Sequence, residues 1–289
     1  MNVTQVHAAG ALTGESPLWD RARNVMWWID IQGQRLLGHG LGGGTDFDIP
    51  LPSMPGFVCH ADDGRLIVGL EDGLWLVAPE SRAFDLLCPV EADEPRTRLN
   101  DGKVDGRGRI WFGSMDKTGS GLVIGALYCL TPGRELHVVR RAVAVPNAIA
   151  ISPDGGTLYF TDSPTRRIER FELDAASGAP VAVDCLAVLP EGHNPDGASV
   201  DRDGGLWIAI VGAGHLLCLS PDGSEAGKIA LPVSRPTMPA FGGEDLATLF
   251  VTSQRRFLTA PQLREELCAG NLLSLPAPVP GLPPPAFPI

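Results

Sequence analysis

Trp27-Trp28-Ile29-Asp30, Leu66-Ile67-Val68-Gly69-Leu70, Ile110-Trp111-Phe112-Gly113-Ser114, Leu158-Tyr159-Phe160-Thr161-Asp162, Leu206-Trp207-Ile208-Ala209-Ile210 and Leu249-Phe250-Val251-Thr252-Ser253 are six short apolar runs that decide the fold. Their starts are about 39, 44, 48, 48 and 43 residues apart, the length of one four-stranded propeller blade. Each run is rich in β-branched and aromatic residues, as a strand buried on both faces should be. Turn signals precede the runs: Asp63-Gly64-Arg65, Gly106-Arg107-Gly108-Arg109, Asp154-Gly155-Gly156-Thr157 and Asp203-Gly204-Gly205. Asp-Gly and Gly-Gly supply the positive φ angles of tight hairpins. Further strands follow, such as Gly125–Leu130 and Ile168–Leu173. The expectation is an all-β chain, a six-bladed β-propeller over residues 1–275, with a proline-rich tail over 276–289 that wraps the surface or frays. A β-sandwich or a solenoid is the alternative, and the long, fairly uniform period argues against the sandwich.

A chain of 289 residues can bury a sizeable core without staples. The formal net charge of −11 and the lack of a basic patch argue against nucleic acid and anionic lipid as partners. None of the six cysteines forms a C-x-x-C pair, which argues against zinc-ribbon and thioredoxin-like chemistry. No basic flank with an apolar core opens the chain, and no run approaches the roughly 18 residues of a membrane span. A soluble cytoplasmic protein with reduced thiols is expected.

The innermost strand of each blade should begin about ten residues ahead of its run. Those positions read Gly14-Glu15-Ser16-Pro17, Met54-Pro55-Gly56, Arg98-Leu99-Asn100-Asp101-Gly102, Val145-Pro146-Asn147-Ala148, Asn194-Pro195-Asp196-Gly197 and Thr237-Met238-Pro239-Ala240. Glu15, Asn100, Asn147 and Asp196 each sit beside proline or glycine in apolar company. Rotational symmetry would gather them at one end of the axis. Two carboxylates and two amides form an oxygen set suited to a hard divalent cation, and zinc is a further candidate. Without a cation, Glu15 and Asp196 would repel. The competing reading is that these residues only make turn hydrogen bonds at blade starts.

At these residues the sequence resembles the SMP-30/gluconolactonase family, which includes regucalcin and bacterial sugar lactonases. The matching stretches are Gly14–Trp19, Arg98–Asp105, Trp111–Met115, Pro146-Asn147, Pro195-Asp196-Gly197 and Phe241-Gly242-Gly243, within a span from about Gly14 to Arg255. The resemblance implies one divalent metal ion (Ca, Zn, Mg or Mn) held by Glu15, Asn147 and Asp196. It makes Asp196 the catalytic residue and puts substrate on Arg98 and Asn100. Asp116 is a rough further candidate for substrate contact. Three features depart from the family's pattern: Ser16 in place of the usual glycine, Asp116-Lys117-Thr118 where animal members carry an acidic pair, and Val211–Gly214 where bacterial members often have tryptophan.

The implied reaction is metal-assisted hydrolysis of a sugar lactone, with Asp196 as general base. The alternatives are a non-enzymatic metal- or protein-binding propeller, and a metal-dependent esterase or phosphotriesterase with a less polar pocket. Gly38-His39-Gly40-Leu41-Gly42-Gly43 matches a dinucleotide fingerprint only by letter, since no helix follows. No G-x-S-x-G elbow occurs. His193 and His215 could line the pocket mouth, although a surface position is the commoner case for His193. Trp27, Trp28, Trp111 and Trp207 are expected in the core, and Glu91–Glu94 in a solvated loop.

Overall fold

Each apolar run becomes the second strand of a four-stranded antiparallel sheet, in a computed structural model that describes residues 2–289. Residue 1 of the expected 1–275 domain lies outside the described residues. Blade one comprises Gly14–Asp20, Val25–Asp30, Arg35–Gly40 and Phe47–Pro50. Blades two to five repeat this order, starting from Phe57–Ala61, Thr97–Val104, Pro146–Ile151 and Asn194–Val200. Blade six takes Pro236–Gly242, Thr248–Ser253 and Leu272–Pro276 from the end of the repeat. Its outermost strand, Thr4–His7, comes from the start of the chain. The innermost strands touch one another in a complete cycle, so the six sheets form a closed six-bladed β-propeller.

Radial packing follows from strands that are apolar on both faces. Six apolar clusters form, one at each blade–blade interface. Trp27, Trp28 and Trp111 are fully buried there, and Trp207 nearly so. Burying one such side chain contributes about 2–3 kcal/mol. Buried indole N–H groups need partners, and a repeated aspartate supplies them for three of the four. Asp20, Asp105 and Asp201 accept from the Nε1 of Trp27, Trp111 and Trp207 at 3.2, 2.8 and 2.9 Å. The same carboxylates take backbone N–H groups of the following hairpin, as from Arg107, Arg109 and Gly205. One side chain thus closes a turn and orients an indole in three of the six blades.

The tail returns across one mouth of the ring. Arg202 N donates to Pro280 O, and Gly281 N donates to Leu246 O. Ala286–Phe287 then pairs parallel to Phe57–Ala61, burying Phe287 completely. Leu282–Pro285 wall a cavity of about 460 Å³ with the far ends of the innermost strands. Among the described residues no helix is long and apolar enough to cross a membrane.

Candidate functional site

The opposite mouth is built from the beginnings of the innermost strands. In four of them the register breaks at the same place, between Glu15 and Leu18, Leu99 and Gly102, Asn147 and Ala150, and Pro195 and Ala198. A bulge re-aims the side chains at its start. Glu15, Asn100, Asn147 and Asp196 all lie at these bulges. Ser16 and Ala148, which follow two of them, adopt left-handed φ angles of 52° and 50°. That backbone explains why glycine would be at ease at position 16. Ser16 has a compensation: its Oγ accepts from Val58 N at 2.9 Å and ties blade one to blade two.

A hydrogen-bonded chain fixes the amides. Asn100 Nδ2 donates to Asn147 Oδ1 at 2.9 Å and to Pro146 O at 2.8 Å. Asn147 Nδ2 donates to Ser163 Oγ at 2.9 Å, and Ser163 donates to Pro195 O at 2.7 Å. Blades three, four and five are linked directly beside the carboxylates. Both donor protons of Asn100 are used, and its Oδ1 accepts no hydrogen bond among the described residues. The Asn147 Oδ1 retains a second lone pair.

Three carboxylates share this mouth. Burial, then the charges of Asp196 and Asp101, push Glu15 well above the usual carboxylate range. Asp196 is pushed up to about 8 by burial and then by Asp101, although Arg235 and Arg98 oppose the shift. Asp101 rises to about 6, chiefly through burial; Lys103 and the Ile149 N–H, which Asp101 accepts at 2.9 Å, pull the other way. Burial and neighbouring carboxylates thus disfavour the charged forms of Glu15 and Asp196, the effect that a nearby cation would reverse. Glu15 and Asp196 together with the Asn147 oxygen offer the all-oxygen donors that a hard divalent ion takes.

Arg98 is half-buried, and burial followed by the charge of Arg256 lowers it to about 10. One of its N–H groups donates to Leu99 O at 2.8 Å, leaving the others for a ligand. Asp116 is placed differently from these. Its oxygens accept from Thr118 N, Thr118 Oγ1 and Leu122 N, so it holds its own loop together. Lys117 beside it pairs with Glu71. His215 is buried with Nδ1 2.9 Å from Ala213 O, and its ring meets that of His193 edge-on at 5.5 Å. Glu91, expected in a solvated loop, instead accepts from Ser114 and Tyr128. A positive φ of 51° turns the chain inward there.

Sequence reasoning missed Ser163, Asp101 as a member of the charged group, and Arg235 and Arg256. Asp101 could have been found, since it stands in the same quoted stretch as Arg98 and Asn100. The arginines follow no repeat signal. Among the described residues, a single cluster of three His, Cys, Asp or Glu side chains is spaced for a metal. It is His7, His39 and Asp46, on the outer strands of blades six and one and away from the axis.

Comparison with known proteins gives a consistent result. A family model described as "SMP-30/Gluconolactonase/LRE-like region" matches residues 13–255. A 6-deoxy-6-sulfogluconolactonase of Pseudomonas putida is 33% identical over 283 residues, covering 96% of this chain and 95% of its own. An L-arabinolactonase of Azospirillum brasilense is 36% identical over 285 residues, covering 93% and 92%. The crystal structure of a calcium-binding protein, regucalcin, from Agrobacterium tumefaciens superposes with a TM-score of 0.92 at 28% identity. That match covers 96% of this chain and 95% of the other.

Proposed function

The chain belongs to the SMP-30/gluconolactonase/LRE-like family and is a lactone hydrolase, and on that premise we propose that it opens a sugar lactone to its aldonic acid at one divalent cation. Glu15, Asn147 and Asp196 would hold the ion. When bound, such an ion supplies Lewis acidity to a carbonyl oxygen and offsets developing negative charge. The observation that carries the reading is that Glu15 and Asp196 stand near enough for their charges to oppose one another, beside an Asn147 amide fixed by Asn100 and Ser163.

The chain's own residues account for the rest. Asp196 takes the proton of the attacking water as general base, a role open to its carboxylate form. Water adds to the lactone carbonyl carbon, the ring C–O bond breaks, and the departing ring oxygen receives a proton. Asn100 Oδ1 accepts from a sugar hydroxyl, and the remaining N–H groups of Arg98 donate to ring oxygens. The Asn100–Asn147–Ser163–Pro195 chain holds these groups in place, and Asp116 shapes the rim.

The test is a pH-stat assay of glucono-, xylono-, galactono- and arabinono-lactones, run after EDTA dialysis and again with Ca, Zn, Mg or Mn restored. Activity lost with EDTA and regained with metal is expected. Full activity after EDTA, or hydrolysis of no lactone by the metal-loaded protein, overturns the proposal.

A further inference from the structure

Three guanidinium groups, those of Arg98, Arg235 and Arg256, stand at this end of the ring, and among the described residues none makes a salt bridge, on a chain with formal net charge −11. Arg235 and Arg256 both lie over the ring of Phe257, 5.4 and 4.6 Å from its centroid. Arg235 immediately precedes the innermost strand of blade six, Pro236–Gly242, and Gln254 N donates to Arg235 O at 3.0 Å. Arg256 N donates to Leu12 O, just ahead of the strand that carries Glu15. Both therefore stand at the end of the ring where the bulges are. Neither makes a salt bridge or a side-chain hydrogen bond among the described residues, and the Arg235 Nε is buried without a partner. Arg98 likewise lacks a salt bridge, and Arg256 is near enough for its charge to oppose that of Arg98. Phe257 is 68% exposed at a φ of 70°, a conformation that costs about 1–3 kcal/mol for a residue with a side chain.

Charge balance makes the arrangement informative. Arg98 and Arg235 act on Asp196, Arg256 acts on Arg98, and Lys103, which also lines the cavity under the tail, offsets Asp101 and Glu15. Once a divalent cation occupies the carboxylates, the mouth carries an excess of positive charge, and the further anion near Arg98, Glu71, is already paired with Lys117. Like charges are not held together in a half-buried site without cost unless a ligand repays it. A neutral sugar lactone offers hydroxyls and one carbonyl, which do not repay it. Guanidinium forks match oxyanions in geometry as well as charge.

We infer that the preferred substrate is a sugar lactone bearing a second, anionic group, whose oxygens bind Arg235 and Arg256 while the lactone carbonyl lies over Glu15, Asn147 and Asp196. This inference rests on the lactonase reading above. It assigns to Arg235 and Arg256 a specificity role that their sequence context does not suggest. A carboxylate, a sulfonate and a phosphate all present the same recognition chemistry, so the assay has an arm for each.

The experiment compares kcat/KM of the metal-loaded full-length protein for glucono-1,5-lactone and for its 6-phospho and 6-deoxy-6-sulfo counterparts. A fourth arm is the 1,4-lactone of glucaric acid. At least one anionic lactone is expected to exceed the neutral lactone by about tenfold to a hundredfold, with the arm that wins naming the group. The KM of that substrate should rise as salt is added, because a partly open ion contact is screened within about 10 Å at 0.1 M. Arg235→Gln and Arg256→Gln should each reduce the anionic-to-neutral ratio, and Arg256→Lys should restore part of it. Should neutral lactones be hydrolysed as well as every anionic one, or should the ratio survive both glutamine variants, the inference is overturned while the lactonase reading stands. Hydrolysis of none of the four, while xylono-, galactono- or arabinono-lactone is opened, overturns the inference alone; hydrolysis of no lactone at all overturns both.

Discussion

Asp196→Asn isolates the cost of holding carboxylates together. In metal-free protein Asp196 titrates at about 8, against an ordinary value near 4. Each unit is worth about 1.4 kcal/mol. Asp196 is only half-buried, so solvent screens part of that cost, and the penalty at pH 8 is about 3 kcal/mol. The sign follows from proton uptake. The folded state binds more protons than the unfolded one between pH 4 and 8, so metal-free protein loses stability as pH rises across that window. Asparagine cannot ionise and escapes the penalty. Metal-free Asp196→Asn should therefore melt about 5 °C above metal-free wild type at pH 8, and near it at pH 4. Added calcium should raise the wild-type melting temperature at pH 8 and leave the variant where it is. Lactonase activity should vanish in the variant. Calorimetry with and without EDTA at both pH values measures all of this. A variant that is less stable than wild type in EDTA at pH 8, or one that still hydrolyses lactone, would refute the reasoning.

Ser163→Ala should weaken metal binding by about tenfold or more, because Asn147 loses the acceptor that orients its amide. Isothermal titration reads this, and Ser163→Thr should recover much of the loss. Asp105→Ala removes the partner of Arg109 Nε and of Trp111 Nε1 and leaves a buried cation unpaired, so a loss of about 3–5 kcal/mol is expected in urea unfolding. Ser16→Gly relieves a left-handed backbone but gives up the bond to Val58 N, whereas Ser16→Ala keeps the strain and loses the bond; the alanine variant should be less stable by about 1 kcal/mol. His60 stays neutral because burial lowers its affinity for protons, so its contribution is complete above the ordinary histidine pKa and should decline as pH falls below about 6.5 in acid-unfolding curves.

What could be read from the sequence was what neighbours along the chain decide. Apolar runs and Asp-Gly turns are local signals, and they placed the second strand of every blade. Glu15, Asn100, Asn147 and Asp196 were visible because a polar residue beside proline or glycine breaks an apolar context at the same point of each repeat. What brings them together, the bulge, left no separate mark. Ser163 and Arg235 were invisible because their meaning depends on partners in other blades. Asp116 and Glu91 show the opposite failure. Asp116 looked available, yet Thr118 two residues on satisfies it. Glu91 looked solvated in an acidic stretch, yet one left-handed residue delivers it to Tyr128, 37 positions away. The strand Thr4–His7 was missed because half of it is exposed and no apolar pattern marks it.

That strand sets a timetable for the molecule. Thr4 pairs with Ser274 and Gln5 with Leu273, contacts that span nearly the entire polypeptide. During synthesis this strand must wait, unpaired, until five blades have been made and the sixth supplies its edge. Loop-closure entropy is paid before those contacts return anything, which slows folding and leaves sticky strand edges open meanwhile. A lactonase of this shape should therefore gain its binding mouth abruptly, when the circle is joined, since Glu15 and Asp196 have no fixed relation before that moment.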